Sequence, residues 1–181
     1  MRLGLLLSIF VAFLPLVLFS CDDGSPTNDK FSIGHAILGN VNKTLSSRHN
    51  MNMGGFREAT HRDDKKYKTM GLCFQIQRPV SKEEGRKLLI DCAEELLSQI
   101  NTHPDFQQFM HEYPFTVKNI EIVMYVSTET GGTVYHPEIA IFSFSRGKVE
   151  YLTNSPENRY VFYSEEEETY EEALRIIEES K

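Results

Sequence analysis

Two groups of residues in this sequence have the types and spacing to do chemistry. The first is the stretch Arg48-His49-Asn50-Met51-Asn52-Met53-Gly54-Gly55, with His61 eight residues beyond Met53. In an extended segment Met51 and Met53 share one side, and imidazole with thioether is a soft ligand set that suits Cu(I). A copper site there would need His61 as its fourth ligand. With two methionines and no repeat, the stretch reads better as part of a linker. The second group is the remaining histidines. His103 and His111 are eight residues apart; on one helix they would share a face but stand about 12 Å apart, too far for one ion. His136-Pro137-Glu138 precedes an expected strand and reads as a turn. A nucleophile would need Ser or Cys beside a His base and an orienting acid. The sequence has no His-Glu-x-x-His, no Gly-rich phosphate loop and no strand-turn-helix elbow. Gly131-Gly132 is expected at a hairpin tip, where positive φ angles are needed. Glu165 to Glu168, with Glu171 and Glu172, are expected at the start of the last helix, where they complement its dipole. They lack the alternating ligands and central Gly of a calcium loop. No catalytic, cofactor-binding or metal-binding residue is assigned on these grounds.

The elements that would position such residues are unevenly distributed. The chain has 181 residues, with 19 basic and 26 acidic side chains and a net charge of −7. That acid excess argues against a nucleic-acid binder, which needs clustered Lys and Arg. Three cysteines exclude a disulfide-built mini-protein and a four-cysteine zinc site. Apolar residues number 15 in residues 1–20, 12 in the 47 residues 22–68, and 45 in the 113 residues 69–181. One folded unit of modest size is implied, over residues 69–181.

Arg2 is the only charge before Asp22, and the run Leu3 to Phe19 is broken only by Gly4, Ser8 and Pro15. That is the layout of a secretory signal. Its 17 residues, one of them proline, fall short of the roughly 20 apolar residues of a stable transmembrane helix. The segment ends Leu18-Phe19-Ser20-Cys21-Asp22-Asp23. Here the sequence resembles the bacterial lipoprotein class, whose signals end in a lipobox: Leu, a small or apolar residue, Gly, Ala or Ser, then Cys. Leu18, Ser20 and Cys21 match, and Phe19 is bulkier than usual at its position. The resemblance spans residues 1–21 alone. It implies removal of residues 1–20 and modification of the Cys21 sulfur with diacylglycerol carrying palmitate-type chains. Cys21 would then be the lipidation site and the mature N-terminus. Two or more acyl chains suffice for stable anchoring where one does not. In the enterobacterial lipoproteins that this N-terminus resembles, an aspartate after the lipidated cysteine opposes export to the outer membrane. Asp22, reinforced by Asp23, therefore implies retention at the inner membrane in a host of that kind, facing the periplasm.

Residues 21–68 read as a lipid-anchored polar tether. Asp22-Asp23-Gly24-Ser25-Pro26-Thr27-Asn28-Asp29 is a cluster of turn formers. Phe31, Ile33, Ile37, Leu38, Val41 and Leu45 are spaced for one short amphipathic helix, or a strand, that docks on the domain. From Lys43 to Lys68 there are seven Lys or Arg against three Asp or Glu, a basic excess able to lean on anionic headgroups.

Residues 69–181 read as an α+β domain of order β-α-β-β-β-β-α: a mostly antiparallel sheet of about five strands with two helices on one face. Thr69 to Gln77 alternates, with Met70, Leu72, Phe74 and Ile76 inward. Ser81 and Glu84 form a capping box for a helix carrying Leu88, Leu89, Cys92, Ala93, Leu96, Leu97 and Ile100. Further strands are expected at Val117–Ser127, Glu138–Ser145, Val149–Leu152 and Arg159–Tyr163, and a last helix at Thr169–Glu179. Tyr125, Tyr135, Tyr151, Tyr160, Tyr163, Phe142, Phe144 and Phe162 lie on the hairpin strands, where an uncovered face would expose several for protein docking. Cys73 and Cys92 are expected on opposite sides of the sheet and unpaired.

The expected function is that of a membrane-anchored envelope lipoprotein with a non-catalytic domain that binds another envelope protein or itself. Its partners would be the membrane, through lipid on Cys21, and an envelope protein, with no nucleic acid and no cofactor. The rival expectation is an envelope hydrolase or transferase whose site is scattered through the chain.

Overall fold

The computed structural model describes residues 30–158 and 160–180; Cys21 and the apolar segment before it lie outside the described residues. In chain order the elements are α1 (Lys30–His49), β1 (Asn52–Thr60), β2 (Tyr67–Ile76), α2 (Lys82–Thr102), two short 3-10 turns (Gln107–Phe109 and Val117–Asn119), β3 (Ile120–Val126), β4 (Ile141–Ser145), β5 (Lys148–Asn154), β6 (Phe162–Thr169) and α3 (Tyr170–Glu179). The six strands form one sheet in the order β1 to β6. Neighbours are antiparallel except β2 and β3, which run parallel across the α2 crossover. The α+β class and the β-α-β-β-β-β-α order stand. Among the described residues the sheet has six strands where about five were expected, and there are three helices where two were expected.

The additional helix and strand come from the segment expected to be tether. Residues 30–60 are folded: α1 buries Gly34, Ile37, Leu38, Val41 and Leu45, which fall on one helical face, and Met51 follows them into the core. The apolar content of this region is thin, but its helical spacing concentrates it on one face. β1 is exposed along almost its whole length and is held by its antiparallel ladder to β2. Backbone pairing leaves no mark in composition, so the tether reading gives way from residue 30 onward.

A second correction concerns the glutamates. The last strand, expected at 159–163, is β6 at Phe162–Thr169, so Glu165 to Glu168 are strand residues and not the start of the helix. They alternate, Glu166 and Glu168 toward the helices and Glu165 and Glu167 away from them, and cations meet them on both sides. Lys82 lies 2.8 Å from Glu166, and Lys148 lies 2.8 Å from Glu167. Only Glu171 and Glu172 occupy the first turn of α3, where Thr169 and Glu172 cap each other reciprocally.

The core lies between the sheet and the helices. Cross-strand rows such as Phe74–Met124–Phe142–Tyr151 and Leu72–Ile122–Phe144–Val149 present it from below. Leu88, Leu89, Cys92, Ala93, Leu96 and Ile100 of α2 close it from above. Ser81 caps α2 by accepting from the Glu84 amide, as expected. At Gly85 the helix touches the sheet: a Cβ there would stand 2.0 Å from the Phe142 ring. One residue on, Arg86 forks onto Glu168 at 2.6 and 3.1 Å, and the Tyr151 hydroxyl donates to the same carboxylate. Arg86 is buried, with its side chain 7% exposed, and Glu168 is half-buried, with its side chain 12% exposed. Burial alone would raise the Glu168 carboxyl; the hydrogen bonds from Arg86 and Tyr151 outweigh it and hold the group below the usual carboxylate range.

Two outcomes follow. Gly85→Ala forces the Phe142 ring or the helix to move and is expected to cost about 1–3 kcal/mol of unfolding free energy, read from chemical denaturation. Because Glu168 is depressed in the folded state, its contribution is complete above its unfolded pKa and is lost as pH falls through the folded one. The stability gap between the wild-type chain and Glu168→Gln is therefore expected to be flat near neutrality and to shrink below the ordinary carboxylate range, measured by denaturation at stepped pH.

Candidate functional site

All three helices pack on one face of the sheet, and no described element covers the other. Strand register sets out this outer face in rows, because residues directly opposite each other share a face. One row runs Gln75–Tyr125–Ile141–Leu152–Glu165, a second Cys73–Val123–Ser143–Glu150–Glu167, and a third Gly71–Glu121–Ser145–Lys148. The first is apolar at its centre, with Tyr125 45% exposed and Ile141 and Leu152 half-buried. The third is charged. Arg57 crosses from β1 to bond Glu121 at 3.0 Å, a path that passes over Gly71. Gly71 is required there: a Cβ would stand 1.9 Å from the Glu121 carbonyl oxygen. The Arg57 guanidinium is held above its ordinary value by Glu121 first, against burial, with Cys73 alongside. Beside these pairs lies an open cleft of about 530 Å³ lined by Arg57, Ser143, Arg146, Lys148, Glu150 and Glu167 among others. Its three cations and three acids, counting Glu121, leave it balanced in charge.

The expected aromatic surface is divided by this arrangement. Phe142, Phe144 and Tyr151 point to the helices and are buried. Of the eight aromatics, Tyr125 is the one in the outer-face rows. Tyr135, Tyr160, Phe162 and Tyr163 are exposed around the start of β6, where Tyr163, 59% exposed, stacks on His136 at 4.0 Å. The His136 amide donates to the Asn154 carbonyl, and His136-Pro137 is a turn, as expected. Gly131 has a φ of +81° in the turn after β3.

The histidines and methionines of the copper reading are dispersed. His49 ends α1 and lies 2.5 Å from Asp91 of α2, beside Arg48, which reaches Asp91 and Glu95. These contacts clasp α1 to α2; burial raises the Asp91 carboxyl, but His49 and Arg48 prevail and lower it. Met51 is buried, Met53 is exposed on the helix side of β1, and His61 follows the far end of that nine-residue strand, about 30 Å away at the rise of an extended chain. They form no common site. His103 and His111 share no helix either, since only Gln107–Phe109 between them is helical. Instead His111 stacks on His61 at 3.8 Å, beside Asp64. This grouping was not found from the sequence, because no local spacing signals residues 50 positions apart.

No family model, curated protein or solved structure matches the chain. No helix among the described residues is long and apolar enough to cross a membrane.

The two described cysteines lie as expected. Cys73 sits in the outer-face rows, half-buried, and Cys92 is buried on α2 with its thiol pushed up by burial; both are free. A maleimide is expected to label Cys73 in the folded chain and Cys92 only after denaturant, as read by peptide mass spectrometry. Equal labelling of both without denaturant would contradict this placement.

Proposed function

We propose that the chain is a bacterial envelope lipoprotein, held to the membrane by lipid on Cys21, whose α+β domain is a non-catalytic module for docking another envelope protein or a second copy of itself. The observation that carries the docking reading is the sheet's uncovered face. Among the described residues the six-stranded sheet has helices on one side only, and its other side carries Val123, Tyr125, Ile141 and Leu152 beside a charge-balanced border. An apolar centre with a polar rim is the anatomy of a protein–protein interface. Contiguous exposed apolar surface on a soluble domain marks such sites.

The anchor reading rests on the lipobox resemblance, and the fold adds a consequence. Eight residues, 22–29, separate Cys21 from α1, so the domain would be held within about 30 Å of its lipid. The end of the domain nearest that tether carries Lys30, Arg62, Lys65 and Lys66 against Asp63 and Asp64, a small basic excess. Lys30, the first residue of α1, donates to the Lys65 carbonyl in the β1–β2 turn, which also exposes Arg62. Cations near an anionic leaflet contribute about 1 kcal/mol each. The histidine–acid pair His49–Asp91 is occupied by the α1–α2 clasp, which suits a binding domain more than a hydrolase. Asp22 favours the inner membrane in an enterobacterium-like host.

Two measurements on the full chain in its bacterial membrane test the two parts. Metabolic labelling with a clickable palmitate analogue is expected to mark the wild-type chain and not Cys21→Ala; equal labelling would overturn the anchor. A photoreactive phenylalanine analogue placed at Tyr125 or Ile141 is expected to give a discrete crosslinked protein, and the same analogue at Lys87 on α2 none. An adduct of twice the chain's mass would identify self-association. Absence of adducts at both outer-face positions, or equal adducts at Lys87, would overturn docking through this face.

A further inference from the structure

The structure brings together three metal-ligating side chains that belong neither to the outer sheet face nor to the α1–α2 clasp. His61 opens the turn after β1, Asp64 lies within that turn, and His111 follows the first 3-10 turn. The ligating atoms of all three lie within 4.8 Å of one another. Both imidazoles turn the same nitrogen to one carboxylate: His111 Nδ1 lies 2.8 Å from Asp64 Oδ2, and His61 Nδ1 lies 3.6 Å from Asp64 Oδ1.

The backbone beneath these groups is fixed. The His61 amide donates to the Lys66 carbonyl at 2.7 Å, and the Lys65 amide returns to the His61 carbonyl at 3.1 Å. The His111 amide donates to the Tyr67 carbonyl at 2.8 Å, which ties its loop to the start of β2. The Asp64 carboxylate is oriented by the Lys66 amide at 3.0 Å, the kind of support that positions a ligand. A close pair accounts for His111 and Asp64, whereas His61 stands at 3.6 Å from the same carboxylate, beyond hydrogen-bond reach. The His61 ring lies flat on that of His111, with centroids 3.8 Å apart and planes 8° apart. Its Nδ1 otherwise accepts only a 3.4 Å contact from the Asp63 amide.

We propose that His61, Asp64 and His111 form a site for a divalent transition-metal ion, with Zn²⁺ the best match. Two imidazoles and a carboxylate are a borderline donor set that Mg²⁺ and Ca²⁺ do not favour. Cu(I) prefers thioethers and thiolates, and Met51 and Met53 lie elsewhere. Zinc takes its nitrogen and oxygen ligands at about 2.0–2.2 Å, which sets donors about 3.4 Å apart in a tetrahedron, so His111 Nδ1 and Asp64 Oδ2, at 2.8 Å, move apart while the wider separations, all within 4.8 Å, close in. An ion between parallel rings would lie off both ring planes, so binding tilts the rings and opens the stack. The three side chains are each about a third exposed, leaving the fourth position to water or to a ligand from outside. The bound ion would join the β1–β2 turn to the loop before β3, at the end of the domain where α1 begins.

Cobalt(II) serves as the probe, because its visible absorption reports a low-coordinate nitrogen–oxygen site. The full chain, purified in detergent and stripped with chelator, is titrated with Co²⁺ and then with Zn²⁺ in competition. The expected result is one ion per chain, displaced by Zn²⁺, with affinity lowered about tenfold or more in His61→Ala, His111→Ala and Asp64→Asn. His49→Ala and Cys73→Ser should leave it unchanged. Zn²⁺ is also expected to raise the melting temperature of the wild-type chain and not that of the His61→Ala, His111→Ala double variant. Thermal melts without metal show whether each variant is folded, and His111→Gln serves if alanine unfolds the loop. No saturable binding at one ion per chain, or full binding in the double variant, would overturn the site. Neither result bears on lipid attachment, since Cys21→Ala keeps all three ligands.

Discussion

The seating of α2 on the sheet is the contact on which the rest of the molecule depends. At Gly85 the helix has no side chain, so the Phe142 ring of β4 lies directly beneath it. That approach places Arg86 and Lys82 over β6 and Leu89, Cys92 and Leu96 over the middle strands. Because α2 also connects β2 to β3, its position sets the parallel pair at the centre of the sheet. A larger residue at Gly85 would lift the helix from Phe142 and pull Arg86 from Glu168. Packing and electrostatics are coupled at this one point.

The buried ion pair follows from that geometry. Four consecutive glutamates make a poor strand by composition, and a charged edge strand resists pairing with another chain. β6 nevertheless joins the sheet because Arg86, Lys82 and Tyr151 meet its inward carboxylates while Lys148 meets an outward one. A lone carboxylate at the Glu168 position would carry a large desolvation penalty. With the Arg86 fork and the Tyr151 hydroxyl it stays ionised and joins β6 to the helix layer.

One-sided burial also defines the surface proposed for docking. The helices cover one face of β2 to β5, and alternation leaves Tyr125, Ile141 and Leu152 on the other with the Arg57–Glu121 and Lys148–Glu167 pairs nearby. The histidines are used in distinct ways at different places. His49 helps hold α1 to α2, His136 supports the aromatic end near β6, and His61 stacks on His111 near the start of α1. Met53 and His61 are separated, and residues 50 positions apart are joined, because β1 runs between the first two and its turn returns beside the loop before β3.

The sequence by itself determined the order of elements from residue 69 onward. There the alternation of Met70, Leu72, Phe74 and Ile76 and the helical spacing from Leu88 to Ile100 are local periodicities, each set by a handful of neighbours. The same periodicities placed Cys73 and Cys92 on opposite sides, and Ser81 marked the start of α2. The spacing from Phe31 to Leu45 allowed a helix or a strand docked on the domain; tertiary structure decided that it is a helix and that β1 joins the sheet. α1 has few apolar residues and β1 is nearly all exposed, so both are stabilised by surfaces and backbone partners elsewhere in the chain. It also decided that Glu165 to Glu168 form a strand, since their counter-charges come from α2 and β5. The cluster of His61, Asp64 and His111 is of the same kind. Its members are joined by a strand register and a loop hydrogen bond, and neither is encoded in the spacing of residues along the chain.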